Sequence, residues 1–204
     1  MRKEGKREDQ IYFVGNTMID SLLLNLTKIK RPNIFEASGL IAGKYYVLTL
    51  HRPSNVDQLD AFADLIGEID SSAAAPVIFP VHPRTRKNLD LLQKVPKNIL
   101  PTDPLSYLEF IFLVKNAKGV ITDSGGVQEE TTVLGVPCLT LRKNTERPET
   151  VTIGTNVMIG DDMTALRNTL AKLNAGDWKK GEIPELWDGR TAERIIDVLV
   201  KLKI

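Results

Sequence analysis

A doubly wound α/β fold with a parallel sheet is the architecture this sequence predicts, on three observations. Short runs such as "YYVLTL" (45–50), "PVIFPV" (76–81) and "GVITD" (119–123) are apolar without alternation, as strands buried on both faces are. Each run is followed by a stretch of helical periodicity, the alternation that builds parallel sheets. Polar segments then gather where the strands end: "HRPSNVD", "HPRTRK" and "DSGG". The carboxyl edge is where open parallel sheets hold ligands.

The elements follow in order. "MRKEGKREDQ" has no apolar periodicity and reads as a charged lead-in, leaving residues 11–204 as the folded domain. Order begins at "IYFVGNT", where Asn16 or Thr17 caps a helix carrying Ile19, Leu22, Leu23, Leu26 and Ile29 at helical spacing, until Pro32 stops it. After the first strand, residues 55–69 form an amphipathic helix with Leu59, Phe62, Leu65, Ile66 and Ile69 on one face. "PVIFPV" is followed by the helix "TRKNLDLL", and the short strand "NILPT" by a helix over 106–116. "GVITD" leads into the helix "GGVQEETTVLG", closed by Gly135. Strands "PCLTL" and "NVMIG" and helices near 163–173 and 191–202 complete the pattern, with no internal repeat and no interior linker.

Composition narrows the function classes. With 204 residues, 42% hydrophobic and 26% charged, the chain is expected to be soluble and globular. It buries about 70% of its unfolded surface, enough to need no disulfide or metal staple. A net charge of +1 gives no reason to expect a nucleic acid or an acidic membrane as partner. Cys138 is the single cysteine and reads as a buried core residue, and two histidines do not make a zinc site. No segment has the apolar core of a secretory signal or the ~18 apolar residues of a membrane span. A cytoplasmic protein is the expectation.

The stretch "TDSGGVQEE" (122–130) carries the most chemistry. Placed between strand and helix, Ser124, Gly125 and Gly126 can turn backbone N–H groups and the positive helix end toward an anion. The same residues also suit a plain tight turn in which Asp123 or Ser124 caps the helix. Glu129 and Glu130 are expected in the first helical turn, where the macrodipole favours carboxylates. A carboxylate facing a pocket would instead accept two hydrogen bonds from the vicinal diol of a ribose. A nucleoside diphosphate presents a phosphate and a ribose about one helical turn apart, which reconciles glycines with a glutamate.

Other candidates sit on the same edge. His51, beside Arg52, can meet a phosphate or move a proton near neutral pH, or it is a surface histidine without a role. His82, with Arg84 and Arg86 nearby, is a further candidate or part of a solvated basic face. In "TERPET", Arg147 precedes a proline suited to a helix start. It either forms an exposed ion pair with Glu146 or reaches a ligand at the sheet edge.

"TDSGGVQEE", "LGVPCLTLRKNTERPETVTIGTN", "LTLHRPSNVD", "FPVHPRTRK" and "IPELWDGRTAERI" together resemble the C-terminal domain of the non-hydrolysing UDP-N-acetylglucosamine 2-epimerases. The similarity runs from "VGNTMID" to the end. It implies a Rossmann-like C-terminal half of a glycosyltransferase-B-type fold, facing a second domain across a cleft. By resemblance, Ser124, Gly125 and Gly126 would bind the diphosphate, Glu130 the ribose hydroxyls, and Phe110 would lie near the uracil. His51 matches the catalytic histidine near the diphosphate, Arg52 follows it, and Arg147 matches an active-site arginine. The implied reaction interconverts UDP-GlcNAc and UDP-ManNAc by elimination and re-addition of UDP, with no nicotinamide or metal.

The resemblance also has departures. His51-Arg52-Pro53-Ser54-Asn55 replaces the common His-Arg-Arg-Glu-Asn, and "PVHPRT" replaces "PVHxNP", which speaks against a regulatory sugar-nucleotide site built around His82. The family's N-terminal domain, with its acidic residues for the C2 proton, has no counterpart. The expectation is a half that binds UDP without turnover by itself, paired with a separate N-terminal half or a second copy. A glycosyltransferase donor domain and a non-catalytic UDP-sugar-binding subunit share the architecture and stay open.

Overall fold

Continuous runs of Val, Ile, Leu and aromatic residues can be buried on both sides at once only inside a sheet layered by helices. The computed structural model describes residues 5–92 and 96–203 and has that arrangement; residues 1–4 of the expected lead-in lie outside the described residues. The strands are β1 (Tyr46–Thr49), β2 (Val77–Pro80), β3 (Ile99–Thr102), β4 (Gly119–Thr122), β5 (Cys138–Thr140) and β6 (Asn156–Met158). They form one sheet in the order β3-β2-β1-β4-β5-β6, every neighbouring pair parallel.

The helices are α1 (Thr17–Asn25), α2 (Asn33–Ala37), α3 (Pro53–Val56), α4 (Leu59–Ser72) and α5 (Pro83–Asp90). After these come α6 (Tyr107–Lys115), α7 (Gly125–Leu134), α8 (Pro148–Thr152), α9 (Met163–Asn174) and α10 (Thr191–Lys201). Alternate strand residues feed two cores. Tyr46, Leu48, Phe79 and Ile121 pack against α4 and α9 through Phe62, Ile66, Leu166 and Leu170. Tyr45, Val47, Ile78 and Val120 pack on the other face against Leu113, Val114 and Val127 of α6 and α7. A third cluster joins Ile19 and Leu22 of α1 to Ile111 and Trp187.

Three expectations are corrected. The helix over 55–69 is two helices, because Pro53 opens a first short one and Gln58, in extended backbone (φ −96°, ψ 111°), starts the second. The first helix does not reach Ile29; it ends at Asn25 and tightens into a 3-10 turn, Leu26–Lys28. The short helices α2 and α8 were not foreseen, although Pro148 occupies the first turn of α8 as proposed.

The first and last helices are tied together. Asp20 of α1 accepts the backbone N–H groups of Thr191 (3.1 Å) and Ala192 (2.8 Å), capping α10 from across the fold. Asn16 is the N-cap of α1, accepting from the Met18 N–H, and its own N–H donates to Thr191 Oγ1 at 2.9 Å. Gly15 makes this seam possible. Its φ is +111°, and a Cβ there would lie 2.4 Å from the Leu186 carbonyl oxygen and 2.6 Å from Thr191 Oγ1. Gly15→Ala is therefore expected to lower stability by about 1–3 kcal/mol, read as a lower urea midpoint with an unchanged m-value.

Candidate functional site

The strand order reverses between β1 and β4, so the loops leaving these neighbours diverge and open a crevice at their carboxyl ends. The strand ends are pinned by a 2.6 Å bond between the Thr49 and Thr122 hydroxyls. Just beyond, the fully buried Asp123 accepts the backbone N–H groups of His51 (3.1 Å) and Arg52 (2.8 Å) and the Asn55 amide (3.1 Å). Its other carboxylate oxygen lies 2.8 Å from His51 Nδ1. One carboxylate thus holds the β1 loop onto the β4 loop.

Neither capping reading of "DSGG" describes the structure. Asp123 turns back to the β1 loop, and Ser124, at the N-cap position, makes no side-chain cap. Its N–H donates to Thr122 Oγ1 at 3.0 Å. Among the described residues no side chain caps α7, so the positive end of that helix opens on the crevice. The two glycines are not required by their neighbours. A Cβ on Gly125 would meet only Arg142 Nη1 at 4.0 Å, one on Gly126 only Met18 Cε at 3.5 Å, and neither has a positive φ.

Glu129 and Glu130 do not serve the helix dipole. The helix starts at Gly125, so both lie in its second turn and the first turn has no acidic residue; the dipole's influence is confined to the first. Glu129, 1% exposed, accepts the Asn16 amide at 2.6 Å and sits 2.5 Å from Arg147 Nε. That nitrogen has no aligned hydrogen bond, so the pair is held by charge. The Glu146–Arg147 ion pair, one of the two alternatives for this arginine, does not form. Glu146 instead takes both Arg142 guanidinium nitrogens, at 2.9 and 2.7 Å.

Glu130 is buried against Tyr107 of α6. Burial pushes its carboxyl up to about 7, the neighbouring Glu129 charge adds to this, and the Tyr107 hydroxyl bond works against it. Phe110, three residues further along α6, is half-buried in the packing between α6 and α7. Its N–H donates to the Ser106 carbonyl at 2.9 Å.

His82 stands with its ring 6.2 Å from that of His51. Its Nδ1 accepts the Arg84 N–H at 3.2 Å, making it the N-cap of α5. Arg84 is paired with Asp57 and Arg86 with Asp103, so the "HPRTRK" basic face is largely neutralised. Arg52 differs: its Nε is buried without a hydrogen-bond partner. It lines a hollow of about 390 Å³ together with Asn55, Arg142 and Lys143.

Sequence reasoning missed one residue that organises the other side. Gln128, fully buried, accepts from the Thr145 hydroxyl (2.7 Å) and the Asn156 amide (3.2 Å) and donates to the Ser124 carbonyl (3.1 Å). Thr145 in turn accepts the Arg147 N–H at 3.0 Å. The arginine loop is thereby fixed to α7 at both Gln128 and Glu129.

Fold and site together define a Rossmann-like domain with an open helix N-terminus at its switch point. A family model described as UDP-N-acetylglucosamine 2-epimerase matches residues 1–200, and the chain belongs to that family. It is 41% identical to the UDP-N-acetylglucosamine 2-epimerase of Methanocaldococcus jannaschii, over 97% of this chain and 56% of the relative. The Campylobacter jejuni enzyme of the same name is 32% identical over 98% of this chain and 57% of its own length. The crystal structure of the Methanocaldococcus jannaschii enzyme in complex with UDP-GlcNAc and UDP superposes with a TM-score of 0.82 at 37% identity, covering 98% of this chain and 57% of that one. The chain spans about half the length of the curated relatives it matches. No helix among the described residues is long and apolar enough to cross a membrane.

The raised Glu130 carboxyl has a stability consequence. The unfolded chain releases this proton near 4.5 and the folded chain only near 7, so stability falls as pH rises between those values and stays lowered above them. Glu130→Gln is expected to leave stability unchanged below pH 4.5 and to raise it above neutrality by at most about 3 kcal/mol. Urea curves across pH would show this; a variant less stable than wild type at alkaline pH contradicts it.

Proposed function

We propose that the β1/β4 crevice holds the UDP moiety of a nucleotide sugar, and that the complete protein interconverts UDP-GlcNAc and UDP-ManNAc. The observation that carries this reading is the pair of glycines at the start of α7. Among the described residues no neighbour requires Gly at 125 or 126, and in this reading the space left by the missing side chains serves a ligand that approaches the backbone closely. In this reading Ser124, Gly125 and Gly126 receive the diphosphate on an uncapped helix end, Glu130 accepts the ribose diol, and the Phe110 ring lies toward the uracil. The superposed Methanocaldococcus jannaschii enzyme is in complex with UDP-GlcNAc and UDP, which supports the ligand class.

The chemistry follows from what must be stabilised. Elimination removes the C2 proton and breaks the bond from C1 to the phosphate oxygen, leaving a 2-acetamidoglucal and UDP with its charge on the departing phosphate. Re-addition after protonation on the opposite face gives the epimer. In this reading His51, Arg52, Arg147 and the α7 N-terminus neutralise the departing charge. The base for the C2 proton is assigned to the remaining half of the complete, cytoplasmic protein. The surface for that half is the bare face of α10, where Ile196 (60% exposed) and Val200 (68%) stand uncovered, with Phe13 also exposed.

Two outcomes test this. By calorimetry, Gly125→Ala is expected to weaken UDP binding at least about tenfold, or ~1.4 kcal/mol, without loss of thermal stability, because Ala is the better helix former; unchanged affinity removes the diphosphate assignment. In sedimentation runs over a dilution series, the isolated chain is expected to self-associate through α10. Ile196→Glu combined with Val200→Glu is expected to abolish association while UDP affinity is kept.

A further inference from the structure

The contacts of Asp123 carry more than loop anchoring. One oxygen is occupied by the His51 and Arg52 backbone N–H groups and the Asn55 amide. The other accepts a longer bond from the His51 N–H, at 3.2 Å, and faces His51 Nδ1 at 2.8 Å. A carboxylate supplied with that many donors stays an acceptor, so the imidazole nitrogen facing it must carry a proton. His51 Nε2 has no hydrogen-bond partner among the described residues, and the side chain is 41% exposed.

We propose that Asp123 is a positioning residue for His51: it fixes the ring orientation and holds the proton on Nδ1, leaving Nε2 as the nitrogen that meets the ligand. The inference rests on the reading of His51 as the histidine of the site. Its consequence is that proton exchange happens at one nitrogen only. Neutral His51 offers a lone pair at Nε2, and protonated His51 offers an N–H there to a departing phosphate. His82 has the opposite arrangement. Its Nδ1 accepts the Arg84 N–H, so its proton belongs on Nε2. The chain's two histidines are thus opposite tautomers in one molecule.

Nitrogen-15 spectra of the histidine-labelled chain test this, at a pH near 8.5 where an ordinary imidazole is neutral. His82→Asn, which keeps an N-cap acceptor, assigns the two rings. The expected wild-type result is a pyrrole-type Nδ1 for His51 and a pyridine-type Nδ1 for His82. A pyridine-type Nδ1 at His51 overturns the proposal, whatever any variant does.

In Asp123→Asn the amide oxygen must satisfy the backbone donors, which turns its NH2 toward the ring. The His51 proton is then expected to move to Nε2, exchanging the two signal types. A folded Asp123→Asn chain whose His51 keeps a pyrrole-type Nδ1 also overturns the proposal. Saturating UDP is expected to shift the Nε2 resonance in the wild type while Nδ1 keeps its type. A pyrrole-type Nδ1 with no response to UDP supports the positioning role and removes the UDP reading of the crevice, so the two fail separately.

Discussion

Residues 122–130 bury more polar groups than any turn can satisfy internally, and the rest of the site depends on how those groups are met. A buried hydrogen-bonding group without a partner costs a few kcal/mol, more when charged. Asp123 therefore draws in the loop after β1, and Gln128 draws in the loop after β5 together with Asn156 of β6. Glu129 takes Asn16 and Arg147, and Glu130 takes Tyr107. Together these side chains address five segments of the chain, the loop after β5 twice. An apolar helix at this place could complete the core, but it would leave five segments without a common reference.

The fold was legible because a parallel sheet leaves a strong trace. Strands covered on both faces read as unbroken apolar runs, and the strands were placed from that signal except the edge strand β3, which was read only as a short strand in "NILPT" ahead of a helix. The carboxyl-edge segments were legible for the same reason, as polar residues that follow each run. The split between α3 and α4 was not, since no Gly or Pro marks residues 57 and 58. His82 as a helix cap could have been found: a proline in the first helical position identifies the residue before it as the cap. Asp123 could not, because its partners lie 68 to 72 residues away and a single aspartate before a Ser-Gly-Gly turn is equally consistent with local capping. Glu129 misled for the opposite reason. Its distance from the helix start is set by where the turn ends, and the helix begins at Gly125.

The site also shows how a helix terminus can be kept available. Capping by Ser, Asp or Asn is the ordinary way to satisfy the first N–H groups of a helix. Here Asp123 is engaged by the β1 loop, and Ser124, at the N-cap position, makes no side-chain cap. Stability is given up locally at Glu130 as well, where a carboxyl is buried at a cost, in keeping with the general conflict between optimal folding and a working site.

The seam between α1 and α10 bears on how the chain reaches this structure. The N-terminal amides of α10 are capped by Asp20, 171 residues earlier in the chain, and only Thr191 of that helix is buried. Local contacts give α10 little reason to dock before the sheet and α1 exist, and closing so long a loop carries an entropic cost that its own few contacts repay late. The last helix is thus expected to act as a latch, settling after the sheet and α1 are in place and released early when the domain opens.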